Sequence, residues 1–422
     1  MDADLRTPGS RGGDGHRPDR GTWDALGADG SLRYLGAELW WVELALVASV
    51  GTAVGTHRSR PLVLVRLRCA TAAGTEVDGW GECAALADTT FDREDVAGAW
   101  ATLEERLLPA LASLASDHGG ALPPVGGLVA LADATPARPL AFAALEMAVG
   151  DAHLRAAGRS FAALLGVAER LVLPGAVVGT AGSTDDLVDQ VARRAAEGYV
   201  RVKVKIGPAS GLATVSALAG WAARTAGPVP GFQVDANGAY GGQDVEALVA
   251  LDRFGLLCIE QPFARDDLDA HRRLAARMRT PISLDESLDG PGRVVEAVTT
   301  GACSVVCVKP SRLGGIGAAL EVIGWCTAQR VPWWIGGMFE SGYARGVTTA
   351  LAALPGPSLP GDLAPSSTYL AADLVAPVPG AVRTAPLRVE VPVPGVPGMG
   401  PAPERSALEA HRRHRSDVPG PG

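Results

Sequence analysis

The sequence predicts an α/β protein: a parallel barrel of βα units, preceded by a smaller sheet-and-helix region. Three observations carry that expectation. From about Leu171 onward, short runs of β-branched and apolar residues alternate with amphipathic helical stretches, the pattern of parallel strands joined by crossover helices. Before them, residues 35–86 hold strand-like runs broken by Gly-rich turns, and two helical patterns follow. The chain has 422 residues, 47% hydrophobic and 20% charged, enough for two domains of ordinary globular composition. An open doubly wound sheet would give similar local signals.

Taken in order, residues 1–30 are rich in Gly, Arg, Asp and Pro without a hydrophobic period, as is the stretch 396–422. Both are expected to be mobile, as an N-terminal arm and a C-terminal tail. WWVELAL, PLVLVRLRC and DGWGECAAL read as an antiparallel sheet, and 93–114 and 141–157 as helices. Eight strand candidates follow: PGAVVGT, RVKVKIG, GFQVDA, LLCIEQ, PISLDE, SVVCVKP, VPWWIGG and SLPGD. The segments between them, such as TDDLVDQVARRAAEG, carry one apolar stripe and one charged face. So many units favour a closed barrel.

Composition also excludes functions. A net charge of −8 without a basic stripe argues against a nucleic-acid partner. No run of about 18 apolar residues occurs, and the N-terminus lacks a secretory pattern, so neither a membrane span nor export is expected and the location should be cytoplasmic. The six cysteines are scattered through apolar segments and read as reduced core residues. Cys303 and Cys307 lie four apart but flank a strand-like SVV. A homo-oligomer is left open.

The chemistry is concentrated at strand ends. QVDANG, CIEQPF and SLDESL place Asp235, Glu260 and Asp285 at 25-residue steps, one βα unit apart, on the face where such barrels build active sites. Singly, each acid could be a helix N-cap. Three in register would repel one another without a cation, and a hard divalent ion, Mg²⁺ with Mn²⁺ as substitute, meets that need with oxygen ligands. With no His or Cys at these strand ends, zinc is disfavoured.

In RVKVKIG, alternation puts Val202, Val204 and Ile206 on one face and Lys203 and Lys205 on the other. In SVVCVKP it sends Lys309 inward with Val305 and Cys307. The second and sixth strands of a ring face each other across the mouth, so amines would flank the acid cluster from both sides. Such a pair suits abstraction of a proton next to a carboxylate, with the dianion held by metal and ammonium. Two readings of Lys203 stand: a cation that lowers the pKa of Lys205, or an ion-pair partner filling the barrel.

KVK at 203–205, DAN at 235–237, EQP at 260–262, DES at 285–287 and KPSRLGG at 309–315 resemble the enolase superfamily in its muconate-lactonizing branch, a resemblance that implies a lysine base and Mg²⁺. GWGECAAL, LEMAVGDAHLRAAGRSF, GGMFESGYARG and PGDLAPSSTY look like the o-succinylbenzoate synthases that also racemise N-succinylamino acids. The resemblance spans about residues 33–410. It implies a modified (β/α)7β TIM-type barrel at 170–365, an α+β capping domain at 31–165 and a return to the cap at 366–395. Loops of the cap, at about 49–60 and 84–91, would shape the pocket. It implies Asp235, Glu260 and Asp285 as metal ligands, Lys205 and Lys309 as the acid/base pair, Asn237 and Glu286 as supports, and Arg312 as a mark of the racemising branch. Gly337 and Met338 would line the pocket near a succinyl arm. His57, Arg58 and Arg60 are candidates for carboxylate contacts. The implied activity is Mg²⁺-dependent dehydration of a small carboxylate to 2-succinylbenzoate, toward menaquinone. Racemisation of N-acylamino acids is the alternative, with dipeptide epimerisation and muconate cycloisomerisation behind it. A metal-binding barrel without turnover is the alternative of another class.

Overall fold

The computed structural model describes residues 19–51, 56–135, 138–179, 183–375 and 380–421; the side chains at 50, 51, 56 and 57 lie outside that description. The chain opens with β1 (Leu32–Gly51), β2 (Thr56–Thr71) and β3 (Glu76–Cys83), an antiparallel meander. Its inner face packs on the helix Pro139–Ala156, which is buried from Leu140 to Leu154. Gly79 and Gly81 permit that approach: a Cβ on Gly81 would lie 1.9 Å from the carbonyl oxygen of Ala144, so GWGEC needs glycine there.

A two-residue strand, β4 (Leu171–Val172), precedes the barrel. The barrel strands are β5 (Ala176–Val178), β6 (Arg201–Lys205), β7 (Gly231–Asp235), β8 (Cys258–Glu260), β9 (Ile282–Leu284), β10 (Val305–Val308) and β11 (Trp333–Ile335). They form one parallel sheet in the order β11-β10-β9-β8-β7-β6-β5. The eighth candidate, SLPGD, is not a strand of this sheet. Its chain instead closes the ring by single contacts: Asp362 N–H donates to Ile335 O at 2.9 Å and Gly175 N–H to Gly361 O at 2.6 Å. Proline on both sides of the closure, at 174 and 360, withholds the donors a longer ladder needs. The result is a TIM-type barrel with a capping domain.

Three expectations about the ends are corrected. Of the N-terminal arm, residues 1–18 lie outside the described residues, but Arg20–Asp24 is helical and Trp23 is fully buried. Its indole lies over Gly150 and donates to Glu146 Oε1 at 3.0 Å. The C-terminal stretch is likewise ordered: Arg405–His411 is a helix, and Arg412–Pro419 pairs antiparallel with β1 as the edge strand of the cap sheet. RRHRSDVP shows no apolar alternation because an edge strand is held by ladder hydrogen bonds and ion pairs, here Arg413 with Glu43 and Arg415 with Glu38. Finally, the return to the cap is made in two parts: at 369–371 the chain pairs with β1, Val47 N–H donating to Tyr369 O and Ala371 N–H to Ala45 O, both at 2.9 Å, and it then leaves the cap. β12 (Val382–Ala385) and β13 (Arg388–Pro392) join β4 on the outer barrel wall. From about Met399, whose N–H donates to Asp151 at 2.6 Å, the chain is on the cap again. The 412–419 edge strand is β14.

Glu146 ties these parts together. It accepts from Trp23 and, at 2.5 and 3.1 Å, from the backbone N–H groups of Ile316 and Gly317 that open the helix Ile316–Gln329. Burial outweighs these donors and pushes its carboxyl up to about 7. A folded-state pKa above the unfolded one gives stability that is present below about pH 4.5 and lost as pH rises through 7. Glu146→Gln should therefore make the loss of unfolding free energy between pH 5 and 8 smaller by about 1–3 kcal/mol, read by denaturant titration; an unchanged pH dependence would contradict it.

Candidate active site

Strand pleating sets the site. On β6, Val202 and Val204 face the surrounding helices while Lys203 and Lys205 face the barrel axis; on β7, β8 and β10 the same parity turns Gln233, Asp235, Glu260 and Cys307 inward. Lys205, Asp235 and Glu260 are direct neighbours across two ladders. Asp285 and Lys309 follow β9 and β10 on their first turns. Three side chains beside these strand ends sit in the left-handed backbone region, Asn237 (φ 46°), Gln261 (φ 40°) and Phe339 (φ 52°), conformations that non-glycine residues hold mainly where the surroundings impose them. Gln261 shows the compensation: its amide binds Phe263 O and Ser287 Oγ, and its Oε1 accepts from the N–H groups of Asp285 and Ser287.

The charges interlock. Lys205 Nζ donates to Asp235 Oδ2 at 2.6 Å and Asn237 Oδ1 at 2.8 Å. Lys203 lies 2.6 Å from Asp362, 3.1 Å from Glu260 and 3.5 Å from Asp235, and 5.0 Å above the ring of Trp334. Of its two readings the geometry favours the ion-pair partner. On the far side, Lys309 Nζ donates to Asp285 Oδ2 at 2.7 Å. Arg312, only 3% exposed, also binds Asp285 and grips Asp92 with two N–H groups at 2.7 and 3.1 Å. It is a buried clamp on an acid of the cap, not a surface salt bridge. Asn237 Nδ2 donates to Glu286 Oε1 at 2.9 Å, while Glu286 Oε2 is buried without a partner among the described residues.

Electrostatics separates the acids. Burial, then the charges of Asp235 and Asp285, push the Glu260 carboxyl up to about 8. Against the cost of burial, Arg312 and Lys309 hold Asp285 well below the usual carboxylate range, and Lys205 and Lys203 lower Asp235. Burial and neighbouring Asp285 push Glu286 up to about 7. Glu260 and Glu286 are thus held in a buried setting that disfavours their charge, beside an unpaired buried oxygen. Those are features a cation fits. Among the described residues, the tight grouping of ligand atoms within 4.8 Å of one another is Glu260, Asp285 and Cys307. Asp235 was expected in it and is instead drawn to Lys205.

The cavity above the cluster measures about 530 Å³ and is lined by Lys203, Lys205, Asn237, Asp285, Glu286, Lys309, Arg312, Gly337 and Met338. The cap contributes Ser49 from the end of β1 and Leu86 and Phe91 from the chain after β3; of the loop expected at 49–60, the described residues belong to the paired ends of β1 and β2. Arg60 does not take part: its guanidinium is buried and donates to the carbonyls of Pro61, Ala84, Ala85 and Phe339. Those carbonyls occupy the donors a substrate carboxylate would need. Arg58 is exposed and does not line the cavity, and the side chain of His57 lies outside the described residues. Sequence reasoning missed Asp92, Arg201, Gln233 and Asp362. Arg201 and Gln233 share the inward parity already read for Lys203 and Asp235, so alternation carried that signal; Arg201 donates to Gln233 and Asp362 at 2.7–2.9 Å. Asp92 and Asp362 lie in loops, where no periodicity marks them. Removing Asp92 leaves the buried Arg312 guanidinium with Asp285 as its remaining acid partner, so Asp92→Ala should destabilise the protein by about 1–3 kcal/mol in denaturant unfolding; wild-type stability would refute the clamp.

Comparison with known proteins agrees with this architecture. Residues 186–407 match the family model described as Enolase C-terminal domain-like. An N-succinylamino acid racemase from Amycolatopsis sp is 39% identical over 380 residues, covering 90% of this chain and 97% of that one. An o-succinylbenzoate synthase from Geobacillus kaustophilus is 34% identical over 370 residues, covering 88% and 93%. A solved enolase-superfamily structure from Listeria innocua superposes with a TM-score of 0.81 at 28% identity, covering 92% and 99%. A parallel barrel with acids on three successive strands, amines on both sides and relatives matched end to end place this chain in the enolase superfamily.

Proposed function

We propose that the protein is a divalent-metal-dependent enzyme that enolises a small carboxylate bearing a succinyl arm, with dehydration to 2-succinylbenzoate as its main reaction. The observation that carries this reading is the pair of ammonium groups on opposite sides of one buried acid cluster, Lys205 against Asp235 and Lys309 against Asp285. Asp235, Glu260 and Asp285 would hold Mg²⁺, or Mn²⁺ in its place. When bound, the ion supplies positive charge beside the substrate carboxylate, which makes the adjacent C–H more acidic.

Lys205 takes the proton from the carbon next to the carboxylate of 2-succinyl-6-hydroxy-2,4-cyclohexadiene-1-carboxylate, and Asn237 orients its amine. The electron pair left behind forms an enediolate and then expels the ring hydroxyl. The leaving oxygen collects the proton from Lys205 and departs as water, while the ring becomes aromatic. Lys309 stays protonated and faces the developing negative charge. Arg312 fixes Asp285 and Lys309 in place. The names of the similar synthases and racemases support the succinyl arm, and six free, buried cysteines among the described residues support a reducing cytoplasmic setting.

Racemisation of N-succinylamino acids is the second reading. It needs a proton carrier on each face of the substrate carbon, and the position of Lys309 opposite Lys205 favours it. With Mg²⁺ in D₂O, wild-type protein should wash deuterium into N-succinyl amino acids and dehydrate the cyclohexadiene. Lys309→Arg should lose racemisation by at least about 10²-fold, the scale of one proton-transfer group, yet retain measurable dehydration. No deuterium uptake with either substrate, or equal loss of both activities in the variant, would overturn the scheme.

A further inference from the structure

Two stretches that line the cavity come from different parts of the molecule. Val47, Ala48 and Ser49 belong to the far end of β1 in the cap, while Gly337 and Met338 belong to the turn after β11 in the barrel. One residue is bonded to both. The backbone carbonyl of Tyr369 accepts from the N–H of Val47 at 2.9 Å, beside the bridge between Leu46 and Leu370. Its hydroxyl reaches the other way and donates to the carbonyl oxygen of Glu340 at 2.6 Å.

The turn that receives this bond has to be held. Phe339 sits at φ 52°, a left-handed backbone that a residue other than glycine keeps mainly where its surroundings impose it. Those surroundings are built around Arg345. Its guanidinium, 3% exposed in the first turn of the helix Gly342–Ala352, donates to the Tyr369 hydroxyl at 2.8 Å, to Glu340 Oε2 at 3.3 Å and to the carbonyl oxygen of Asp362. Glu340 Oε2 also accepts from the N–H of Met338 at 2.6 Å. Gly337 leaves room for this: a Cβ there would lie 3.0 Å from Asp362 O and 3.2 Å from both Nη atoms of Arg345. The Phe339 ring meets the Tyr369 ring edge-on, with centroids 5.3 Å apart. Burial holds the phenol above its usual pKa, so it remains an O–H donor near neutrality while its oxygen accepts from Arg345. The unit also touches the charge cluster, because the Asp362 carboxylate lies 2.6 Å from Lys203.

We propose that Tyr369 is a positioning residue for the enolising reaction: its hydroxyl, joined to Arg345 and Glu340, locks the cavity-lining turn 336–340 to the tip of β1, so that the barrel and cap walls of the cavity hold one arrangement. The kinetic consequence rests on the enolising reading; the joint itself is a property of the free protein. Without the hydroxyl the two walls move independently, and only a fraction of molecules presents the binding arrangement. Apparent affinity falls by that fraction. Turnover of bound substrate, which depends on the lysines, does not.

Tyr369→Phe tests this, since it keeps the ring against Phe339 and removes only the two hydroxyl bonds. In hydrogen exchange of the free protein read by mass spectrometry, peptides covering 45–49 and 336–341 should both exchange about tenfold faster than in wild type, the scale of one buried hydrogen bond. The edge strand 412–419 should not change. With Mg²⁺ and the cyclohexadiene or an N-succinyl amino acid as substrate, KM should rise about tenfold and kcat stay within about twofold. A merely structural role would lower the amount of folded enzyme instead, so that kcat falls at constant KM. That kinetic result, a KM that does not rise, or faster exchange in only one of the two peptides, in neither, or across the edge strand as well would overturn the proposal. Faster exchange in both peptides, with no turnover of either substrate by the wild type, would leave the joint standing and sink the enolising reaction. Wild-type turnover with unaltered exchange in the variant would do the reverse.

Discussion

The arrangement depends on one constraint: three carboxylates carried on neighbouring strands, away from water, must be matched by positive charge. Pleating leaves no choice about direction, because Asp235 and Glu260 share the inward face of strands whose outward Val234 and Ile259 pack under the helices. Cations therefore have to reach the acids from the remaining strands, and β6 and β10, on either side of the acid-bearing group, supply them. Lys203 sits deepest, between Asp362, Glu260 and Asp235, with the Trp334 ring beneath it. Lys205 and Lys309 stand at the mouth, where a substrate can meet them. The same inward parity that builds the barrel interior thus sets these two amines on opposite sides of the acids.

The cap is bound to this charge system and is not only a lid. Asp92 comes from the cap and holds Arg312, which in turn binds Asp285. Glu82 on β3 accepts from the N–H and hydroxyl of Ser341, fixing the turn that opens the helix Gly342–Ala352. Arg60 joins the cap loop at Ala84 and Ala85 to the barrel loop at Phe339. Loop positions around the cavity are therefore set by buried polar contacts across the two parts, in a low-dielectric setting where each is costly to leave unmade.

How much of this was legible in the sequence follows from what each signal can carry. Alternation in RVKVKIG and SVVCVKP fixed the direction of Lys203, Lys205 and Lys309, and the even spacing of Asp235, Glu260 and Asp285 fixed their neighbourhood, because both are properties of a strand and its repeat. Asp362 and Asp92 were not legible as site residues, since a loop acid has no period to mark it. Trp23 was hidden for a related reason, a single aromatic in a polar stretch whose partner, Glu146, lies 123 residues away. RRHRSDVP failed differently: its pairing with β1 uses backbone groups and charges, so hydropathy read a strand as a tail. SLPGD reads as a full strand, but the prolines at 174 and 360 leave only a bridge there.

The central claim, that the acids of three successive strands are arranged to share one divalent ion between opposed amines, is tested most directly by anomalous diffraction from crystals grown with Mn²⁺. The account predicts a single strong peak among the carboxylates of Asp235, Glu260 and Asp285, with Lys205 and Lys309 on opposite sides of it and Lys203 still paired with Asp362. A crystal with no peak there, or with the ion held elsewhere while the three carboxylates keep only their lysine and arginine partners, would contradict it.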